Sequence, residues 1–159
     1  MAIIETRGVL ASGQKALVEL DSKTVQLAED MYEGTLFGLD ANGKAVKAST
    51  VAGSVVKAIG IIKEGGVREW GEGFVTDPNR VAKAGTYITI NPFHRMAVEE
   101  GKFTIADVAS QKPLYQGDAG TIVDVAPVGT GKLKKVVGYV IGQSTVFIDL
   151  TRDFGTILA

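Results

Sequence analysis

Turn signals interrupt this sequence so often that only short regular elements fit between them. Clusters of Asp, Asn, Pro and Gly, which favour tight turns, stand at 40–43, 64–66, 77–79, 100–101 and 129–131. The 159-residue chain holds 20 glycines, about 13% where an average protein has roughly 7%. We therefore expect most of the segments between these turns to be short strands.

The clearest strand pattern lies near the C-terminus, in Thr145–Leu150. There Val146, Ile148 and Leu150 fall on one face of an extended chain, because successive side chains of a strand point in opposite directions. A second strand is predicted at Tyr87–Ile90, which follows a glycine and stops at an Asn-Pro pair.

Further apolar runs also indicate strands. Ala16–Leu20 is short, whereas Val55–Ile62 and Val136–Ile141 are longer and β-branched. Each of the longer runs contains one glycine, Gly60 or Gly138. A glycine at such a position typically marks a bulge or a sharp bend in a curled sheet.

Helix is scarce in this sequence. Leu27–Tyr32, stopped by Gly34, has room for one or two turns, and Thr104–Ser110 is the better helix, since Thr104 can cap it with Asp107 at the third helical position. Neither segment is long enough for a helical layer. The sequence therefore predicts an all-β protein, a small β-barrel, β-tulip-like or sandwich domain with one or two short helices and extended terminal arms.

The predicted domain organisation is a single β domain over residues 1–159, with an N-terminal arm at 1–8 and a C-terminal tail at 151–159. Segments 34–62 and 112–141 also resemble one another at an offset of 77 or 78 residues. Two explanations stay open for this repeat. Either β-meanders are alike in composition, or two related sheet halves close one barrel or sandwich.

Both ends of the chain contain apolar residues outside the better strand patterns. At the N-terminus these are Ile3 and Ile4, within Ala2–Thr6, and the C-terminal counterpart is Thr151–Ala159. Either end could add a strand to the sheet of a neighbouring molecule, which would satisfy the backbone groups of an exposed edge.

Charge and composition exclude several classes of partner. The 17 basic and 18 acidic residues are spread along the chain, without the basic stripe that nucleic-acid binding requires. No apolar run approaches the roughly 20 residues that span a bilayer. The absence of cysteine excludes disulfides and thiolate metal sites. We expect neither nucleic acid nor membrane as a partner.

No catalytic or metal-binding pattern is evident. His94 is the single histidine, and we interpret it as a surface or turn residue. Gly129–Leu133 lacks the spacing and the hydroxyl of a phosphate-binding loop and is interpreted as a hairpin turn. Glu99, Glu100 and Asp118 are the carboxylates that a small hydrolase would use. The prediction is a protein that is not an enzyme and has no metal or cofactor.

Four aromatic residues are candidates for an interface. Trp70 and Phe74 flank a stretch rich in glycine and charge, Phe93 follows a proline turn, and Phe154 lies near the C-terminus. Aromatic side chains are enriched at the centres of protein interfaces, but core positions stay an alternative for each. With Ile3 and Ile4 they form the predicted interface set.

The order of these patterns resembles the head decoration, or capsid cement, proteins of tailed bacteriophages. The resemblance is carried by Gly34–Ala48, Ala58–Ile61, Lys112–Tyr115, Gly120–Ile122, Val137–Val140 and Val146–Asp149. It covers about 33–150, and the stretch 68–112 departs from it.

The resemblance implies a virion structural protein that is made in the host cytoplasm and binds late to the outer surface of the assembled head. It would clamp neighbouring major capsid subunits, as a homotrimer. The main alternative is a glycan-binding or structural β-module of a phage tail or fibre.

Overall fold

The computed structural model of the protein describes residues 24–63 and 81–159. Within these ranges almost all regular structure is strand. The strands are β1 (Thr24–Gln26), β2 (Met31–Tyr32), β3 (Leu36–Leu39), β4 (Ala45–Lys47), β5 (Gly60–Ile61), β6 (Val81–Ala82), β7 (Tyr87–Thr89), β8 (Phe93–Ala97), β9 (Pro113–Gln116), β10 (Ile122–Val123), β11 (Leu133–Lys134), β12 (Val136–Gly142), β13 (Thr145–Asp149) and β14 (Thr156–Ile157). One helix, α1 (Ile105–Ala109), and a 3-10 turn at Asp118–Gly120 complete the described elements. The predicted all-β class is confirmed.

The largest unit is a curled antiparallel sheet of five strands in the order β10-β9-β12-β13-β8. A three-stranded sheet, β4-β3-β5, lies beside it, and β1–β7, β2–β6 and β11–β14 form two-stranded pairs. No helix in the described ranges is both long enough and apolar enough to cross a bilayer.

Strand β3 separates two apolar cores. Leu36 and Phe37 are both fully buried, and because they are neighbours on a strand they point to opposite faces. Leu36 packs into the first core, beneath the five-stranded sheet, whereas Phe37 packs into the second core. The predicted face of Val146, Ile148 and Leu150 lines the first core and is confirmed.

Helix α1 forms where the sequence predicted the better helix. The Thr104 hydroxyl accepts a hydrogen bond from the Asp107 backbone N–H at 3.3 Å, and the Asp107 carboxylate accepts one from the Thr104 N–H at 2.9 Å. This reciprocal capping box satisfies two amide groups that a helix start leaves unpaired.

The other predicted helix, at Leu27–Tyr32, is wrong. Leu27 forms an isolated bridge with Ala45, and Met31 and Tyr32 pair with β6 as strand β2. Leu27 and Met31 are buried in the second core. Pairing with distant strands therefore prevails over the weak local preference for a helical turn.

The C-terminal tail does not project from the domain. Its strand β14 pairs with β11 of the same chain, and the buried Lys135 ammonium donates to the carbonyls of Leu150 (3.1 Å) and Asp153. Burial lowers the pKa of Lys135. The turn Gly129–Leu133, expected as a hairpin, instead leads into β11, whose partner comes from the tail.

The two similar segments have the same strand order. In 34–62, β3 lies between β4 and β5, and in 112–141, β9 lies between β10 and β12. A duplication as the origin of the two segments stays a prediction. The other predicted features that fall on residues 1–23 or 64–80, including the N-terminal arm and Ala16–Leu20, lie outside the described ranges.

The two segments are joined by the side chain of Gln116, which is fully buried. Its amide nitrogen donates to the carbonyls of Ser49 (3.1 Å) and Val56 (2.8 Å), and its oxygen accepts from the Ala58 N–H at 2.9 Å. Segment 49–58 is a loop that contains only a single β-bridge, Ser49–Val56. The amide of Gln116 therefore pairs the buried Ala58 N–H and adds a second hydrogen bond to the Ser49 and Val56 carbonyls, which also accept each other's N–H at 3.0 Å.

We expect Gln116→Leu to destabilise the fold by about 1–3 kcal/mol, because the buried Ala58 N–H would lose its hydrogen-bond partner and the Ser49 and Val56 carbonyls would each lose a second hydrogen bond. The measurement is the free energy of unfolding from urea denaturation. Gln143→Leu is the matched control, since Gln143 is exposed in the turn between β12 and β13, and it should change stability by less than about 0.5 kcal/mol. Equal effects of the two substitutions would contradict this role of Gln116.

Candidate functional site: an aromatic and cationic sheet face

The face of the five-stranded sheet that points away from the first core carries aromatic and cationic side chains. Strand register aligns Pro113, Tyr139, Phe147 and Arg95 in one row across β9, β12, β13 and β8. The rings of Tyr139 and Phe147 are tilted by 44° with centroids 5.6 Å apart. We call the set Phe93, Arg95, Tyr115, Tyr139, Phe147 and Arg152 the outer aromatic face.

Two cations lie against the rings of this face. The Arg152 guanidinium carbon is 5.5 Å from the centroid of Tyr139, and the Lys134 ammonium is 6.0 Å from that of Tyr115. A cation over an aromatic ring contributes about 0.5–1 kcal/mol at an exposed site. These contacts hold the rings and the cations in a common surface.

The guanidinium groups of the face keep their charge available. Neither Arg95 nor Arg152 forms an ion pair with any described residue. The nearby Asp149 carboxylate is engaged locally, since it accepts hydrogen bonds from the Thr151 N–H at 3.1 Å and from its hydroxyl at 2.7 Å. The face can therefore provide hydrogen-bond donors and positive charge to a binding partner.

A depression of about 130 Å³ lies within the face, beside Tyr139 and Arg152. Its wall includes Asp149 and Gln111. Gly138 lines it as well, and the register of β12 against β9 shifts at this residue. The predicted bulge at this glycine is confirmed.

The predicted interface residues fall into two groups. Phe93 and Phe154 are exposed by 49% and 83%, and Phe93 lies at the edge of the outer aromatic face, opposite Asp149. Phe154 makes no ring contact with the described aromatic residues. Ile3, Ile4, Trp70 and Phe74 lie outside the described ranges.

Sequence reasoning missed most of this face. No sequence pattern indicated that four of its residues would lie together, because their proximity depends on which strands are neighbours. These residues are Arg95, Tyr115, Tyr139 and Arg152. The alternation in Thr145–Leu150 did place Phe147 on the face opposite the core.

Of the carboxylates considered for chemistry, Glu99 and Glu100 are exposed. Asp118 accepts hydrogen bonds from the hydroxyl and the N–H (3.0 Å) of Thr50, and its pKa is lowered mainly by the hydroxyl bond. No group of three or more metal-binding side chains occurs within 24–63 and 81–159. The Asp118 carboxylate is thus held by Thr50, and the prediction that the protein is not an enzyme stays a prediction.

His94 differs from its predicted place at a surface or turn. It is a strand residue of β8 that pairs with Ile148 and is half-buried. Burial is the main cause that lowers its pKa, and the charge of Lys63 adds to it.

A second concave feature is an apolar groove of about 320 Å³ at the open side of the curled sheet. Its walls include Met96 from edge strand β8 and Ile122 and Val123 from edge strand β10. Its base includes Phe103 and Val146 of the first core. Among the described strands, the sheet therefore curls until residues of its two edges, β8 and β10, line the same groove, and β8 and β10 do not pair with each other.

No family model, curated protein or solved structure matches this chain.

We expect Gly138→Ala to destabilise the protein, by about 1–3 kcal/mol, and to distort the outer aromatic face. An added methyl group would lie 2.1 Å from the Phe147 carbonyl oxygen, which is backbone and cannot move aside easily. The control is Gly142→Ala in the same strand, where the nearest atom would be 3.5 Å away. Near-ultraviolet circular dichroism and urea denaturation measure the two effects. A Gly138→Ala variant with the same free energy of unfolding and the same near-ultraviolet spectrum as the original chain would contradict the packing described for β12 and β13.

Proposed function

We propose that this chain is a virion structural protein, a capsid decoration or cement protein. It binds the outer surface of an assembled phage head and stabilises contacts between major capsid subunits. The observation that carries the proposal is the outer aromatic face, which combines four aromatic rings with two arginines that form no described ion pair. Tyr, Phe and Arg are the residues enriched at the centres of protein interfaces.

The rigidity of the face favours protein binding. The rings of Tyr139 and Phe147 are half-buried in a sheet whose opposite face is packed in the first core. Because these side chains are already ordered, binding would lose little side-chain entropy. The order of the sequence patterns, which resembles decoration proteins, supplies the specific kind of partner.

The mechanism in this proposal is mass action. A protein that binds only the expanded lattice stabilises it by about 2.7 kcal/mol per site at a hundredfold excess over Kd. Repeated at every equivalent site of a shell, this free energy resists internal pressure without any chemical reaction. Homotrimers of the chain, as the resemblance implies, would contact several subunits at once.

The proposal predicts saturable co-sedimentation of the purified chain with expanded, undecorated capsids of the virus that encodes it, at a fixed ratio per capsid subunit. Phe93→Ala/Arg152→Ala should weaken this binding at least about tenfold, since hot-spot residues contribute about 2 kcal/mol or more. Both residues are exposed, so the variant should fold normally.

The control for this experiment is Tyr87→Ala/Lys44→Ala. Tyr87 is 70% exposed on β7 and Lys44 is exposed before β4, both outside the five-stranded sheet. This variant should bind as the unchanged chain does. Absence of binding to expanded and unexpanded shells alike would overturn the proposal.

A glycan-binding module of a tail or fibre is the second candidate, favoured by the depression beside Tyr139. An aromatic ring, the carboxylate of Asp149 and the amide of Gln111 meet there, and this combination suits the apolar face and hydroxyl groups of a sugar. One face of the ring already carries Arg152, which is why protein binding is preferred.

Isothermal titration calorimetry of the chain with a panel of oligosaccharides discriminates the two candidates. The capsid proposal predicts no saturable heat, whereas a glycan module predicts saturation that Tyr139→Ala abolishes. Saturable binding of one sugar, together with no binding to capsids, would establish the second candidate.

A further inference from the structure

The charged residues of the outer aromatic face, taken together, differ in sign from the chain as a whole. Arg95 lies in its row of side chains, Lys134 and Arg152 lie against its rings, and Asp149 lines its depression. Three cations and one carboxylate give this set a net charge of +2, whereas the whole chain carries −1. The face is therefore a positive region on a protein of slightly negative charge.

The two arginines lie on either side of a pair of aromatic rings. Arg95 pairs across the strands with Phe147, and Phe147 pairs with Tyr139. The Arg152 guanidinium lies against the Tyr139 ring. Two successive strand spacings separate the backbones of Arg95 and Tyr139, which is about 10 Å. A ligand on this face would therefore meet one positive charge, an apolar middle and a second positive charge.

We propose that the outer aromatic face binds an acidic segment of a protein partner, in which two carboxylate side chains flank an apolar one. The inference rests on the proposed function, since it takes this partner to be a major capsid subunit. Guanidinium groups bind carboxylates through two parallel N–H donors, and both arginines are exposed without an ion pair to any described residue. The apolar side chain between the carboxylates would cover the ring of Phe147.

An extended segment provides this spacing. Its alternate residues share one face, so the first and fifth residues present their side chains about 13 Å apart, with the third residue between them. Two arginine side chains whose backbone positions are about 10 Å apart can reach both carboxylates, because a guanidinium sits on a long flexible stem.

The depression of about 130 Å³ accommodates one of the two carboxylates. Gln111, Tyr139 and Arg152 line it, and their amide, hydroxyl and guanidinium groups are hydrogen-bond donors. Asp149 lines it as well, but its Oδ1 atom already accepts hydrogen bonds from the N–H and the hydroxyl of Thr151. A ligand carboxylate would therefore find more donors than free acceptors there.

The first test uses the full-length chain, labelled with nitrogen-15, and the capped peptide Glu-Ser-Leu-Ser-Glu. Titration should shift the Nε–H signals of Arg95 and Arg152 saturably in nuclear magnetic resonance spectra. The matched peptide Gln-Ser-Leu-Ser-Gln should bind at least about fivefold more weakly, which is the effect of losing two exposed ion pairs. No saturable shift with either peptide, or equal affinity for the two, overturns the proposal.

The second test reverses the charges of the face. Arg95→Glu/Arg152→Glu should weaken binding to the acidic peptide and to expanded capsids at least about tenfold, because like charges would then oppose each other. The matched control is Lys44→Glu/Lys102→Glu, which changes the net charge equally at two exposed residues outside the face and should bind both within about twofold of the original chain. Should the first variant have a lower thermal midpoint, Arg95→Gln/Arg152→Gln replaces it.

The two tests separate this inference from the proposed function. Saturable binding to capsids that both charge-reversal variants retain would overturn the acidic partner and leave the capsid role intact. Preference for the acidic peptide in a chain that binds no capsid would support the charge preference of the face and overturn the capsid role.

Discussion

The buried amide of Gln116 makes three of the hydrogen bonds that join the five-stranded sheet to the segment between β4 and β5. The segment between β4 and β5 forms a single β-bridge, so its backbone groups need partners from elsewhere. Three of them bind the amide of Gln116, and Thr50 binds Asp118. A buried polar group that is fully satisfied fixes one arrangement, because any shift would leave groups unpaired in a low-dielectric interior. Together with the hydrogen bond from the Gly120 N–H to the Ala48 carbonyl (2.8 Å), these bonds position the two sheets against each other.

This arrangement determines where the outer surface lies. Leu36 of β3 and Leu114 of β9 pack in the same first core, so one face of the five-stranded sheet is covered, and no core cluster of the described residues lies against the other face. On the free face, a row from Pro113 to Arg95 crosses four strands. A rigid sheet presents the aromatic rings of this row in fixed positions, so that binding a partner, as in the proposed capsid role, would order few side chains.

The sequence predicted the features that depend on interactions between residues close together in the chain. The helix at Thr104–Ser110 was predictable because its capping pair is three residues apart, and the inward face of Thr145–Leu150 follows from alternation. Leu27–Tyr32 was predicted wrongly because its partners, Ala45 and strand β6, are remote in sequence. The outer aromatic face could not be predicted for the same reason. Arg95 and Phe147 are 52 positions apart and become neighbours only through the pairing of β8 with β13.

Hydroxyl-radical footprinting of the chain, free and bound to expanded capsids, tests the proposed role of the outer aromatic face most directly. Aromatic side chains react readily with the radical, and mass spectrometry measures each residue separately. The account predicts that Phe93 and Tyr139 lose reactivity on binding, while Tyr87, 70% exposed on a different sheet, keeps it. Unchanged reactivity of Phe93 and Tyr139 in a chain that is bound to the shell would contradict the account.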